Sequence, residues 1–108
     1  MTKQPSVFAQ NVYQLTKQVP AGKVTTYKAL ASAMNIKAYR AIGQTLRCNP
    51  YAPIIPCHRV VASDGTLNGF NGSRSQKELA KKTALLKKEG VKVKKNRVEN
   101  FQQLLFTF

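Results

Sequence analysis

Cys57 and His58 stand side by side in the run Pro56-Cys57-His58-Arg59-Val60, and they are one of two cysteines and the only histidine in the chain. A thiol flanked by a base and a guanidinium is placed to ionise, and the thiolate is the form of cysteine that attacks carbon or binds metal. The pair also suits a plain buried loop, because an unreactive cysteine packs as a small hydrophobe. Side chains of adjacent residues usually diverge, so a direct contact between Cys57 and His58 is hard to make. Zinc takes about four ligands, and Cys48, Cys57 and His58 offer no ligand spacing of that kind. No metal and no cofactor is expected. Without a secretory signal the two cysteines are expected to remain free thiols in a reducing compartment.

The elements that must position this pair are legible as periodicities. Phe8, Val12, Leu15 and Val19 recur at helical spacing, which predicts an amphipathic helix over about 6–18, opened by Ser6 or Pro5 and ended by Pro20-Ala21-Gly22. A second helix fits 26–34, with Tyr27, Leu30, Ala31 and Met34 on one face and Asn35 as a left-handed stop. A third fits 38–47, with Ala38, Ala41, Ile42, Thr45 and Leu46 facing inward and Arg40, Gly43, Gln44 and Arg47 outward. Three short helices with tight connections predict a helix-turn-helix. Three prolines between Asn49 and Pro56 exclude regular helix and make a stiff approach to Cys57. Val60-Val61 reads as a short buried strand, Ser63-Asp64-Gly65 as a turn and 68–73 as a loop. A basic helix carrying Leu79, Leu85 and Leu86 follows, then a hairpin through Val91, Val93 and Val98, and a helical end with Phe101, Leu104 and Leu105. The fold class expected is mainly α, a winged-helix-like helix-turn-helix with a small β-hairpin.

Composition bounds the partners. A chain of 108 residues with 43% hydrophobic residues is expected to make one domain with one modest core. Lysine and arginine number 18 against 4 acids, a net charge of +14, and no carboxylate occurs before Asp64. Such a field favours a polyanion, duplex nucleic acid first, because neutralising phosphates releases counterions. A merely solubilising basic surface would look the same by charge alone. Membrane association is not expected, since no long apolar run or lipidation motif is present.

The segment from Asn49 to Val61, with Pro-Cys-His-Arg-Val at its centre, resembles the active-site signature of the O6-alkylguanine-DNA alkyltransferases. Gly22-Lys23-Val24-Thr25-Thr26-Tyr27, Tyr39-Arg40-Ala41-Ile42-Gly43, Gly69-Phe70-Asn71-Gly72 and Leu85-Leu86-Lys87-Lys88-Glu89-Gly90 fall in that family's order, so the resemblance covers nearly the whole chain. It implies a single-turnover repair protein that moves an alkyl group from O6 of guanine, or O4 of thymine, in double-stranded DNA onto Cys57. By the same resemblance His58 acts as base through a water, Glu89 orients His58, Tyr27 protonates guanine N3, and Asn49 is a hinge between the recognition helix and the active-site loop. Backbone groups at Cys57 and Val60 would read the guanine edge, and Phe70 and Asn71 would form a lid. Arg40 would fill the space left by a flipped base. Thr26, Gly43, Gln44 and Arg47 would contact DNA through its minor groove.

The chain departs from the family pattern at the lid, where tyrosine and serine are common, and in a longer interval from Phe70 to Glu89. The resemblance further implies a monomer without the N-terminal domain many alkyltransferases carry, in the nucleus of a eukaryote or otherwise the cytoplasm. Three rivals are weaker. Alkyltransferase-like lesion-binding proteins commonly replace the motif cysteine by tryptophan, a winged-helix regulator gives no reason for Pro-Cys-His-Arg-Val, and a thiol protease needs a histidine that is not the cysteine's neighbour.

Overall fold

A computed structural model describes residues 6–47, 54–67 and 76–108. Helix α1 spans Val7–Gln18, and the Ser6 side chain caps it by accepting the Ala9 N–H at 3.1 Å. Val12 and Val19 are buried and Phe8 and Leu15 half-buried, as the periodicity requires. Tyr13 and Thr16 are buried too, which widens the inward face beyond the predicted stripe. Their polar atoms are satisfied: Tyr13 Oη donates to the Thr45 carbonyl at 3.2 Å and Thr16 Oγ1 to the Val12 carbonyl at 2.7 Å.

Strand β1 (Thr25–Thr26) leads directly into α2 (Tyr27–Ala33), whose first turn is capped by Thr26 Oγ1 accepting the Ala29 N–H at 3.0 Å. Asn35 has φ 56°, the left-handed stop expected of it. Helix α3 is Tyr39–Arg47. Ile42 and Leu46 are buried, but Ala38 and Ala41 are exposed, contrary to their predicted inward orientation. Ala38 precedes the first residue of the helix, and Ala41 lies beside the row formed by Ile42 and Leu46.

Strand β2 (Val60–Val61) pairs in parallel with β1, Thr25 opposite Val60 and Thr26 opposite Val61. Successive strand residues face opposite ways, and the core divides accordingly. Val60 belongs to a cluster with Val12, Leu30, Ala31, Ile42 and Leu46, whereas Val61 joins Val24, Leu67, Leu86, Val91 and Val98. Each fully buried aliphatic side chain contributes about 1.5–3 kcal/mol, so this two-residue strand ties both halves of the core together.

Helix α4 (Gln76–Lys88) covers the second cluster, and β3 (Val93–Lys94) and β4 (Arg97–Val98) form the expected antiparallel hairpin. Gly65, at φ +87°, lies under Phe101; an added Cβ would approach the Phe101 ring to 3.0 Å, so only glycine suits this turn. Helix α5 is Phe101–Leu104, and Leu105 bridges Val24 beside β1 instead of extending the helix. Among the described residues no helix is long and apolar enough to cross a membrane.

Candidate active site and nucleic-acid interface

Cys57 opens a single 3-10 turn, Cys57–Arg59, that feeds β2. Its amide N–H donates to the Ile55 carbonyl at 2.8 Å, and the Val60 N–H donates to the Cys57 carbonyl. The thiol is half-buried and packs against the first core cluster, so it has a fixed backbone and partial access to solvent. Tyr27, half-buried at the start of α2, packs against the same cluster. Cys57 and Tyr27 therefore border one patch of core.

His58 is buried, 3% exposed, and its Nε2 lies 3.1 Å from Glu89 Oε1. The ring N–H is not aimed at that oxygen well enough to form a hydrogen bond, so the contact is chiefly electrostatic. Burial lowers the His58 pKa, with the Glu89 carboxylate opposing the shift and Arg59 and Lys82 reinforcing it. The ring is thus neutral at neutral pH. A carboxylate beside Nε2 favours the proton there and leaves Nδ1 as the basic nitrogen.

Sequence reasoning overlooked what holds Glu89. The Arg59 guanidinium grips it with both prongs, Nε donating to Oε1 at 2.9 Å and Nη2 to Oε2, while Nη1 donates to the Val19 carbonyl at 2.8 Å. Burial pushes the Glu89 carboxyl up, but Arg59 and His58 together outweigh it and hold the pKa below its ordinary value. Two-pronged arginine–carboxylate pairing fixes orientation as well as charge. The end of α1, the turn after Cys57 and the end of α4 are thereby joined at one carboxylate.

Lys82 was likewise overlooked. It is 1% exposed, and its Nζ donates to the Val60 and Leu67 carbonyls, each at 2.8 Å. Burial lowers its pKa to about 8, against a raising influence from Cys57. The sequence held a faint sign, since Lys82 lies between Leu79 and Leu86 at helical spacing, on the stripe that should be apolar. The carbonyl of Val60, a residue whose backbone the resemblance has reading guanine, therefore already accepts a bond from Lys82.

On the other side of the strand pair, α3 presents Arg40, Gln44 and Arg47 as exposed residues, with Gly43 half-buried between them. A Cβ built on Gly43 would meet nothing within 4 Å, so packing inside the protein does not require glycine there. Thr26, on β1 and not on α3, is 5% exposed, and its hydroxyl caps α2. Asn49, Phe70, Asn71 and Cys48 lie outside the described residues. Among the described residues no group of three His, Cys, Asp or Glu side chains gathers as metal ligands.

Residues 7–91 match the family described as 6-O-methylguanine DNA methyltransferase, DNA binding domain. The chain is 52% identical over 61 residues to a methylated-DNA–protein-cysteine methyltransferase of Candida glabrata, an alignment covering 56% of this chain and 30% of that relative. Among solved structures it resembles Mycobacterium tuberculosis OGT in complex with DNA, at TM-score 0.72 and 33% identity, over 80% of this chain and 51% of that one. It also shares the fold of S. pombe Atl1 in complex with damaged DNA containing O6-carboxymethylguanine, at TM-score 0.79 and 23% identity, over 98% of this chain and all of that one. The chain spans about half the mycobacterial chain and under a third of the Candida relative.

Proposed function

Because this chain belongs to the 6-O-methylguanine DNA methyltransferase, DNA binding domain family, we propose that it repairs alkylated duplex DNA by accepting the alkyl group on Cys57. The observation that carries this reading is the buried His58, set against a carboxylate that Arg59 fixes, in the residue next to a half-buried thiol. A neutral imidazole with the Glu89 carboxylate beside Nε2 keeps its proton there and offers Nδ1 as a base for the Cys57 proton, relayed by a water. The thiolate attacks the alkyl carbon in line; the S–C bond forms as the C–O6 bond breaks, and the electron pair leaves on guanine. Tyr27 donates a proton to N3 and reforms through solvent. The thioether does not revert, so each molecule acts once.

Reaching O6 requires turning the nucleotide out of the stack, which costs a few kcal/mol and less for a damaged base. Arg40 fills the vacated space from the minor groove, and Gln44 and Arg47 hold the flanking backbone. Gly43 supports this arrangement, since its missing side chain serves no packing need within the chain and permits close approach of a backbone from outside.

Titrating the protein with duplex containing labelled O6-methylguanine tests the reading. Label should accumulate on protein to one equivalent and stop. Repeated turnover would refute self-alkylation, and tight lesion binding without label transfer would mark a lesion-recognition protein instead.

A further inference from the structure

The family match ends at residue 91, and the β3–β4 hairpin lies beyond it. From 87 to 99 the chain carries Lys87, Lys88, Lys92, Lys94, Lys95 and Arg97 against Glu89 and Glu99, and Glu89 is already held by Arg59. Lys94, Lys95 and Arg97 are exposed. They border a shallow hollow of about 450 Å³ that also includes Val98 and Glu99. Asp64 is the other acid in reach, and Arg97 lowers its pKa after the larger influence of the Thr66 hydrogen bonds.

The turn at the hairpin tip puts Lys95 at φ 52° and Asn96 at φ 59°. Such a two-residue turn favours Asn, Asp or Gly at both positions, because other side chains crowd the backbone there. The chain accepts that strain at Lys95 and gains an ammonium at the tip. The scaffold beneath is firm: the Leu67 N–H donates to the Asn96 carbonyl and the Val98 N–H to the Gly65 carbonyl, both at 2.9 Å, and Val98 is buried in the second core cluster. None of the large exposed hydrophobic residues, Val7, Tyr39, Ile54 and Phe108, lies on the hairpin, so it lacks the apolar anchors of a protein interface.

We propose that the β3–β4 hairpin is a second phosphate-gripping surface for duplex DNA, additional to α3. The inference rests on the DNA-repair reading for its choice of polyanion. Fixed cations on a rigid hairpin neutralise backbone phosphates without reading sequence.

Affinity for an undamaged duplex, measured across a salt titration, tests it. Lys95→Asn should leave the melting temperature equal or higher, because it relieves the strained turn, and still lower the slope of log affinity against log salt by about one. Lys94→Gln, Lys95→Asn and Arg97→Gln together should lower it by about two to three, with label transfer to Cys57 from free O6-benzylguanine unchanged. Lys17→Gln, an exposed lysine on α1, is the charge control. A triple variant that loses no more slope per charge than Lys17→Gln overturns the hairpin surface, whereas absent transfer in the unaltered protein overturns the repair reading and leaves the hairpin result standing.

Discussion

At the scale of single residues, reactivity depends on groups that differ in how visible they are in sequence. His58 is marked by its neighbour Cys57, and Glu89 by the Leu-Leu-Lys-Lys-Glu-Gly run. Arg59 is marked as the guanidinium beside the thiol, but its grip on Glu89 is not, and Lys82 is unmarked because a sequence rich in basic residues does not advertise the burial of one of them. His58→Ala should slow single-turnover transfer by about 100-fold or more, the ordinary worth of a positioned base, and Glu89→Ala by less, with lesion-duplex affinity retained in both. Stopped-quench transfer rates and a binding titration check this. A normal rate in folded Glu89→Ala would remove Glu89 from the mechanism. Lys82 gives a pH signature. Burial holds its folded pKa at about 8, below the ordinary lysine value of 10.5, so the unfolded chain binds more protons between those values. Stability should therefore rise as pH climbs from about 8 to 10.5, by about 3 kcal/mol from this group alone. Chemical denaturation of Lys82→Met over the same range should lack that increment. The difference between the two curves is the readout.

Among the elements, the helices were the most legible, for physical reasons that separate them from the strands. Ser6 and Thr26 mark helix starts because their oxygens satisfy free N–H groups, and Asn35 marks a stop because asparagine tolerates a positive φ. Strands β1 and β2 are two residues each, too short for alternation to declare a partner, and their parallel pairing joins segments 35 positions apart. The inward assignment of Ala38 and Ala41 failed because alanine fits either face of a helix. Helix α3 itself carries a sharp test at Gly43. Gly43→Ala should stabilise the fold by up to about 1 kcal/mol, since glycine is the poorer helix former and the new methyl meets nothing within 4 Å. The same change should weaken duplex binding by crowding the approaching backbone. A thermal melt and a binding isotherm on one preparation check both effects. Gain in stability with unchanged affinity would place DNA elsewhere than against this face.

At the scale of the whole molecule, the core is divided into two clusters, and the proposed function would couple recognition to chemistry across them. Helices α1, α2 and α3 pack on the cluster containing Val60, while α4, the hairpin and α5 pack on the cluster containing Val61, and the Cys57–Arg59 turn sits immediately before these two valines. Arg59 spans the same divide, from the Val19 carbonyl at the end of α1 to Glu89 after α4. This division was not visible in the sequence, where the apolar residues suggest a single core; it arises because one strand pair presents alternate side chains to opposite sides. On the proposed reading, this arrangement puts Cys57 between α3, which would deliver the flipped nucleotide, and Glu89, which follows α4 and would orient His58. The most direct test is to locate the transferred group by peptide mass mapping after reaction with O6-methylguanine duplex. The account predicts one methyl group on the Cys57 sulfur of the peptide containing Pro56-Cys57-His58, and a methyl found on Cys48, or on no residue while the lesion disappears, would contradict it.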